Sequence, residues 1–432
     1  MRQAWLHRAL AAIAVATVAA ACSPGAPSSS QSGLSPEPVS ASAKTASPAG
    51  STAVATSYAA SPDTGPSWIA ARVDQPATIE GVPTDAPVFC SPCHPILGTY
   101  IDSLVAVRGG FIALGFDQPP SHAAAWSSTD AMNWRRESDL PAPGGSIISA
   151  AVVGQDGSVL AVGGSGPIAA TWRTTDGATW TLTQLPAPGT DAGVGPGATE
   201  RLSAVAETAG GFVAGGYVET ATAIRMASLW RSPDGVTWTR CIVPVPAGSS
   251  EVTGIAELSA SELVAVGIAG DERRGTAAVW QSNDAGATWS AIVSPSFAAG
   301  RMLGVAAGRG GVAAVGELQE QTGAAAWFSA DGSNWAVSSG PGLDNGGLQM
   351  VMTAVGPSAT GFAAAGWRSD AGNGSAVAWS SSDGRQWIHL PQRPTFSGAG
   401  LAAVLAAPRL MVAGTTGWPD THAAEVWLAS GG

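Results

Sequence analysis

Residues 172–180 read WRTTDGATW: two tryptophans bracket a short polar turn built on Thr-x-Asp-Gly. In such a turn a Ser/Thr or Asp side chain can accept hydrogen bonds from backbone N–H groups a few residues on, and Gly supplies the left-handed position. The flanking tryptophans bring large apolar area to either side. One copy would say little. Five more stand in the chain: WSSTDAMNW (126–134), WRSPDGVTW (230–238), WQSNDAGATW (280–289), WFSADGSNW (327–335) and WSSSDGRQW (379–387). The copy at 126–134 has Ala131 where the others have Gly, which predicts a looser turn, and the copy at 280–289 is one residue longer.

The opening tryptophans, with Trp427 after them, recur at intervals of 46, 58, 50, 47, 52 and 48 residues. Upstream of them stand paired apolar runs around a Gly-rich turn: LVAVRGGFIALG (104–115), LSAVAETAGGFVAGG (202–216), LGVAAGRGGVAAVG (303–316) and MTAVGPSATGFAAAG (352–366). Each repeat thus holds four short strands, two before the first tryptophan, one ending in it and one starting at the second. Four antiparallel strands at such a period read as one blade of a β-propeller. The small residues of the inner runs suit strands crowded around an axis.

Six complete blades are followed by LAAVLAAPRLMVAGTTGWPDTHAAEVWLASGG (401–432), three strands with no turn and no outer strand. The missing parts stand at the front, in SPDTGPSW (61–68) and the residues after it. The expected fold is therefore all-β, a seven-bladed propeller with four-stranded antiparallel blades, its N-terminal strand completing the last blade. Closure of this kind leaves only short, protected edges. Of 17 tryptophans, seven pairs form if Trp68 partners Trp427, leaving Trp5, Trp367 and Trp418.

These turns resemble the Asp-box, or bacterial neuraminidase repeat, of sialidase, sortilin and photosystem-assembly-factor propellers. The resemblance spans residues 61–432 and makes Asp63, Asp130, Asp176, Asp234, Asp284, Asp331 and Asp383 structural residues of the outer rim. It implies fold rather than activity.

The ends have their own logic. Arg2 and Arg8, an apolar run from Ala9 to Val18 and small residues up to Cys22 form an export signal over residues 1–21, with Cys22 resembling a lipidation site of bacterial lipoproteins. Residues 22–60, rich in Ser, Pro and Ala, cannot bury enough surface to order themselves and are expected to be a disordered tether. The propeller occupies 61–432, with a closing strand at 61–74 and a connector at 75–102. This layout predicts an extracytoplasmic head, lipid-anchored to a bacterial membrane and monomeric. The chain has a net charge of −11 and so lacks the basic footprint of a nucleic-acid binder.

Loops joining second to third strands share a face with the crossovers between blades, and charge collects there. Candidate ligand-face residues are Tyr217, Glu219, Arg225, Arg273, Arg274, Trp367, Arg368, Trp418, Asp420 and His422. A sialidase-like or other glycoside hydrolase would need an arginine cluster with a Tyr–Glu pair, for which Arg225, Arg273 or Arg274, Arg368, Tyr217 and Glu219 are the candidates. No paired-carboxylate spacing stands out. The connector holds CSPCH, with Cys90, Cys93 and His94. It matches a haem-attachment string and allows a haem or thiol redox protein, but too few residues surround it to enclose a haem, so a Cys90–Cys93 disulfide is the simpler expectation. No cofactor and no metal site are expected. Cys241 would then be the unpaired thiol. The function that remains is a binding or assembly module for a protein or glycan.

Overall fold

In the computed structural model, the described residues run from 67 to 430, apart from 77–97 and short stretches at 119–120, 138–139, 142, 190–193, 245, 247, 271–273, 320–322, 345, 347–348, 371–372, 392–395, 407 and 418–421. They form a seven-bladed β-propeller. Blades 1 to 6 start at the inner strands Gly98–Val107, Ser146–Val153, Thr199–Thr208, Ser250–Glu257, Gly300–Gly308 and Gln349–Ser358, and each proceeds outward through antiparallel neighbours. Blade 7 is made of Gly400–Leu405, Met411–Thr416 and Ala423–Ser430, completed by Ser67–Ala70.

The front strand pairs Ser67 with Ser430, Trp68 with Ala429 and Ala70 with Trp427. The chain then does something the sequence did not announce. Arg72–Val73 adds a fifth strand to blade 1, parallel to its outer strand, with Arg72 beside Asn133 and Val73 beside Trp134. Asp74 continues the staple: its carbonyl accepts from the Trp126 indole at 2.8 Å, and Gln75 bonds Ala424 in the last blade at 2.9 Å. One short segment therefore grips both sides of the seam.

Each interface between neighbouring blades holds one apolar cluster, seven in all. The two tryptophans of a blade always fall in the same cluster, packed on the preceding blade: Trp172 and Trp180 against blade 1, Trp280 and Trp289 against blade 3. Trp68 and Trp427 make the seventh pair, against blade 6, where Phe396 lies 5.2 Å from the Trp68 ring and 5.5 Å from Trp427. The pairing expected from the tryptophan count is the one observed.

The repeated turn works by side-chain capture of backbone. In blade 3, Ser232 Oγ accepts from Gly235 N at 2.8 Å, while Asp234 Oδ1 accepts from Val236 N at 2.8 Å and Thr237 N at 2.7 Å. The second tryptophan closes the turn by donating its indole N–H to the Gly235 carbonyl. In blade 1 the expected loosening is not seen. Ala131 takes φ 64° and the same hydrogen bonds form, to Ser128 Oγ at 2.9 Å and Asp130 Oδ1 at 2.8 Å. The turn's bonds and the buried Trp134 hold the alanine in a region that disfavours its Cβ. Asp63 and the turn at 61–66 lie outside the described residues.

Candidate functional site

The inner strands share a feature that positions the centre of the ring. Each carries a register shift at the same place, passing over Asp102, Ser149, Ser203, Thr253, Leu303, Thr353 and Ala402 in blades 1 to 7. Such β-bulges re-aim a side chain. All seven shifted residues line one central cavity of about 310 Å³. Opposite every bulge the second strand has glycine, such as Gly267 in blade 4, because a Cβ there would overlap the Glu251 carbonyl oxygen brought close by the bulge. That glycine is the last letter of each of the four apolar phrases ending at Gly115, Gly216, Gly316 and Gly366.

The cavity has two unlike sides. Blades 1, 2 and 3 present Asp102, Ser149 and Ser203, all half-buried, and no hydrogen bond of either serine hydroxyl is found among the described residues. Across from them, Leu303 of blade 5 and Val351 and Trp367 of blade 6 form an apolar wall that continues onto Ile268 of blade 4. Below the bulges, Val205, Ile255, Val305 and Val355 add aliphatic surface. Thr253 and Thr353 serve the ring itself: Thr253 donates to the Met302 carbonyl of the next blade at 2.9 Å, and Thr353 to that of Leu401 at 2.6 Å. Arg301 and Glu317, paired opposite each other in blade 5, form an ion pair that is almost wholly buried beside the wall.

The loop-face candidates fare differently. Tyr217, Glu219 and Arg225 are indeed brought together, as a lock between blades 3 and 4. Arg225 lies over the Tyr217 ring at 4.8 Å, donates through Nε to Glu219 at 3.0 Å and through Nη1 to Glu251 of blade 4 at 3.0 Å. Tyr217 belongs to the second strand rather than a loop and is buried, which pushes its hydroxyl well above the ordinary value. A neutral, enclosed phenol whose neighbouring Glu219 is committed to Arg225 is poorly set to act as a nucleophile. Trp367 and Arg368 also belong to a second strand, Gly361–Asp370. Trp367 turns inward to the cavity, and Arg368 sits near His389, which burial and that positive charge hold below its ordinary value. These strands run further than their polar ends suggested, so residues assigned to loops are wall residues. Arg274 is exposed on its loop. His422 is buried in the seam, edge-on to Tyr100 at 5.4 Å, with its carbonyl accepting from Thr99 N at 3.0 Å. Cys241 is a free, buried thiol, raised to about 11 by its burial. Arg273, Trp418 and Asp420, like Cys22, Cys90, Cys93 and His94, lie outside the described residues. Among the described residues no group of three or more metal-ligating side chains occurs.

No family model matches the chain, and no curated protein matches it in sequence. Among solved structures it is similar to YCF48 bound to a D1 peptide, at 13% identity and a TM-score of 0.48, over 84% of this chain and 97% of that one. A GH74 xyloglucanase from Xanthomonas campestris is 17% identical with a TM-score of 0.45, over 73% of this chain and 50% of the enzyme. Sqt1 of Chaetomium thermophilum, bound to the N-terminus of ribosomal protein L10, is 13% identical with a TM-score of 0.43, over 74% of this chain and 86% of that one. Site residues do not carry over at such identities.

Proposed function

We propose that the protein is a binding or assembly module of the Asp-box type, held outside the cytoplasm by a lipid on Cys22 and the tether that follows, which takes part of a protein or glycan ligand into its central cavity. The observation that carries this reading is the ring of seven aligned bulges, which turns one side chain per blade toward the axis while the chemistry of those side chains differs around the ring. A cavity of about 310 Å³ lies at the small end of ligand sites, which run from about 300 to 1,000 Å³, and suits a side chain or one small group rather than an extended oligosaccharide. Its described carboxylates are Asp102 and Glu317, and Glu317 is committed to Arg301. That is not the pair of available carboxylates that glycoside hydrolysis requires. The test is ligand capture by the purified head, from extracytoplasmic extract and from a glycan panel, beside a cavity-filling Ser203→Phe variant shown to be folded. Capture by the native head and not by the variant is expected. Equal capture by both would overturn the reading.

A further inference from the structure

Resting on that reading, we infer that the group received in the cavity is a phenol, an uncharged aromatic ring bearing one hydroxyl. The polar side chains around the cavity sort by what already holds them. Arg301 and Glu317 form their almost wholly buried ion pair, and Asp102 has an interaction partner of its own. Thr253 and Thr353 donate to backbone carbonyls of the ring. The hydroxyls of Ser149 and Ser203 make no hydrogen bond among the described residues, and neither is sealed off within the protein. A charged ligand group would give up its hydration in a space whose described charges already have partners, and an ion buried without its own counter-charge is costly. The two serines therefore ask for a neutral polar group.

The shape of the cavity says what that group is carried on. Ser149 and Ser203 stand at the same level of the ring, on the bulges of neighbouring blades. Each hydroxyl holds one donor and two acceptor positions, so a phenolic hydroxyl can donate to one serine and accept from the other. Across from them stands the apolar wall of Leu303, Val351 and Trp367. Below, Val205, Ile255, Val305 and Val355 add aliphatic area on four blades. An aromatic ring brings the apolar surface to cover this much area, and Trp367 offers it an offset or edge contact. A carboxamide or a small alcohol would match the hydroxyls and leave the wall uncovered. A bare phenyl ring would cover the wall and leave the hydroxyls unmatched. The same chemistry is found in a tyrosine side chain of a protein ligand and in a free phenol.

Ligand-observed NMR titration of the intact head tests this with p-cresol, toluene, propionamide, benzylamine and benzoate, and with blocked tripeptides carrying tyrosine or phenylalanine. Binding of p-cresol is expected, and its loss in Ser203→Phe. Toluene should bind about three- to tenfold more weakly, the loss typical of a neutral hydrogen bond. Replacing both serines, Ser149→Ala with Ser203→Ala, should weaken p-cresol by at least that factor and leave toluene unchanged. Binding of the tyrosine peptide above the phenylalanine peptide assigns the phenol to a protein ligand. Binding of p-cresol without the peptide assigns it to a free phenol, and both support the inference. Should the double variant fail to fold, the comparison of probes on the native head decides. Equal binding of toluene or propionamide, tighter binding of either charged ring, or unchanged p-cresol affinity in the folded double variant or in Ser203→Phe overturns it. A captured ligand that Ser203→Phe abolishes, beside a native head that binds no p-cresol, would overturn the phenol assignment while leaving the cavity as the binding site.

Discussion

The rim and the axis of this ring repeat in opposite ways. At the rim, the six described turns repeat both sequence and geometry: the Asp oxygen of each accepts backbone N–H groups, from Asp130 to Asp383. At the axis, seven bulges repeat in geometry alone, and the residues they carry run from aspartate through serine, threonine and leucine to alanine. Sequence repetition marks what every blade needs in order to be a blade. Variation at a repeated backbone position marks where one blade is asked to differ from the next.

Substitutions should separate the two regions, with stability responding at the rim and binding at the axis. The largest loss is expected from Trp280→Ala, which empties a fully buried site between blades 3 and 4 and removes an indole donor bonded to the Pro244 carbonyl. A loss of about 3–5 kcal/mol in chemical denaturation is expected, with ligand affinity of the folded fraction unchanged. Next comes Gly267→Ala, whose new Cβ would displace the Glu251 carbonyl and so disturb both regions. About 1–3 kcal/mol should be lost, with a change in affinity as well; a change in stability alone would mean that the bulge does not set the cavity.

A smaller effect is expected from the turns, and pH exposes it. Hydrogen bonds from the N–H groups of Thr237 and Val236 hold the Asp234 carboxyl down to about 2, and those from Asn334 and Ser333 do the same at Asp331. An unfolded aspartate titrates near about 3.9. These groups therefore stabilise the ring above that value, and the contribution is lost as pH falls toward about 2. Asp234→Asn should lower Tm at neutral pH by less than either variant above, and the difference from the native protein should vanish near pH 2. The smallest effect on stability belongs to Ser203→Phe, within about 0.5 kcal/mol although it abolishes binding. A large drop in Tm there would mean that the axis, too, is architecture.

The rim was legible in sequence because its chemistry is local. Ser/Thr, Asp and Gly act on backbone two to four residues away, so spacing along the chain is spacing in the turn. Even the seventh tryptophan pair, Trp68 with Trp427, followed from counting. The axis was not legible, because residues such as Asp102 and Ser203 become neighbours only through seven separate strands. The one local trace is the glycine opposite each bulge, at the end of phrases such as LGVAAGRGGVAAVG, where it looked like another small residue near a crowded centre. Tyr217 and Trp367 were misplaced for a related reason. Their strands extend to Glu219 and Asp370, past the point where the sequence turns polar, and propensity does not register a strand continued by its partners.

The seam between the last blade and the first has a consequence for how the chain reaches this state. Ser67 and Ser430 stand side by side, so the pairing that shuts the ring joins residues 363 positions apart. All other blades can form from neighbouring segments as they emerge, whereas this contact must wait for the whole circle. Closure of so long a loop costs little more than that of a shorter one at equilibrium, since the entropy grows only with the logarithm of length, yet non-local pairing of this kind is slow. Until it happens, the outer edge of Ala423–Ser430 lies open to any other strand. The staple at Arg72–Val73 pairs with Asn133 and Trp134 of blade 1, so the strand that covers this edge is tied to the first blade as well as to the last.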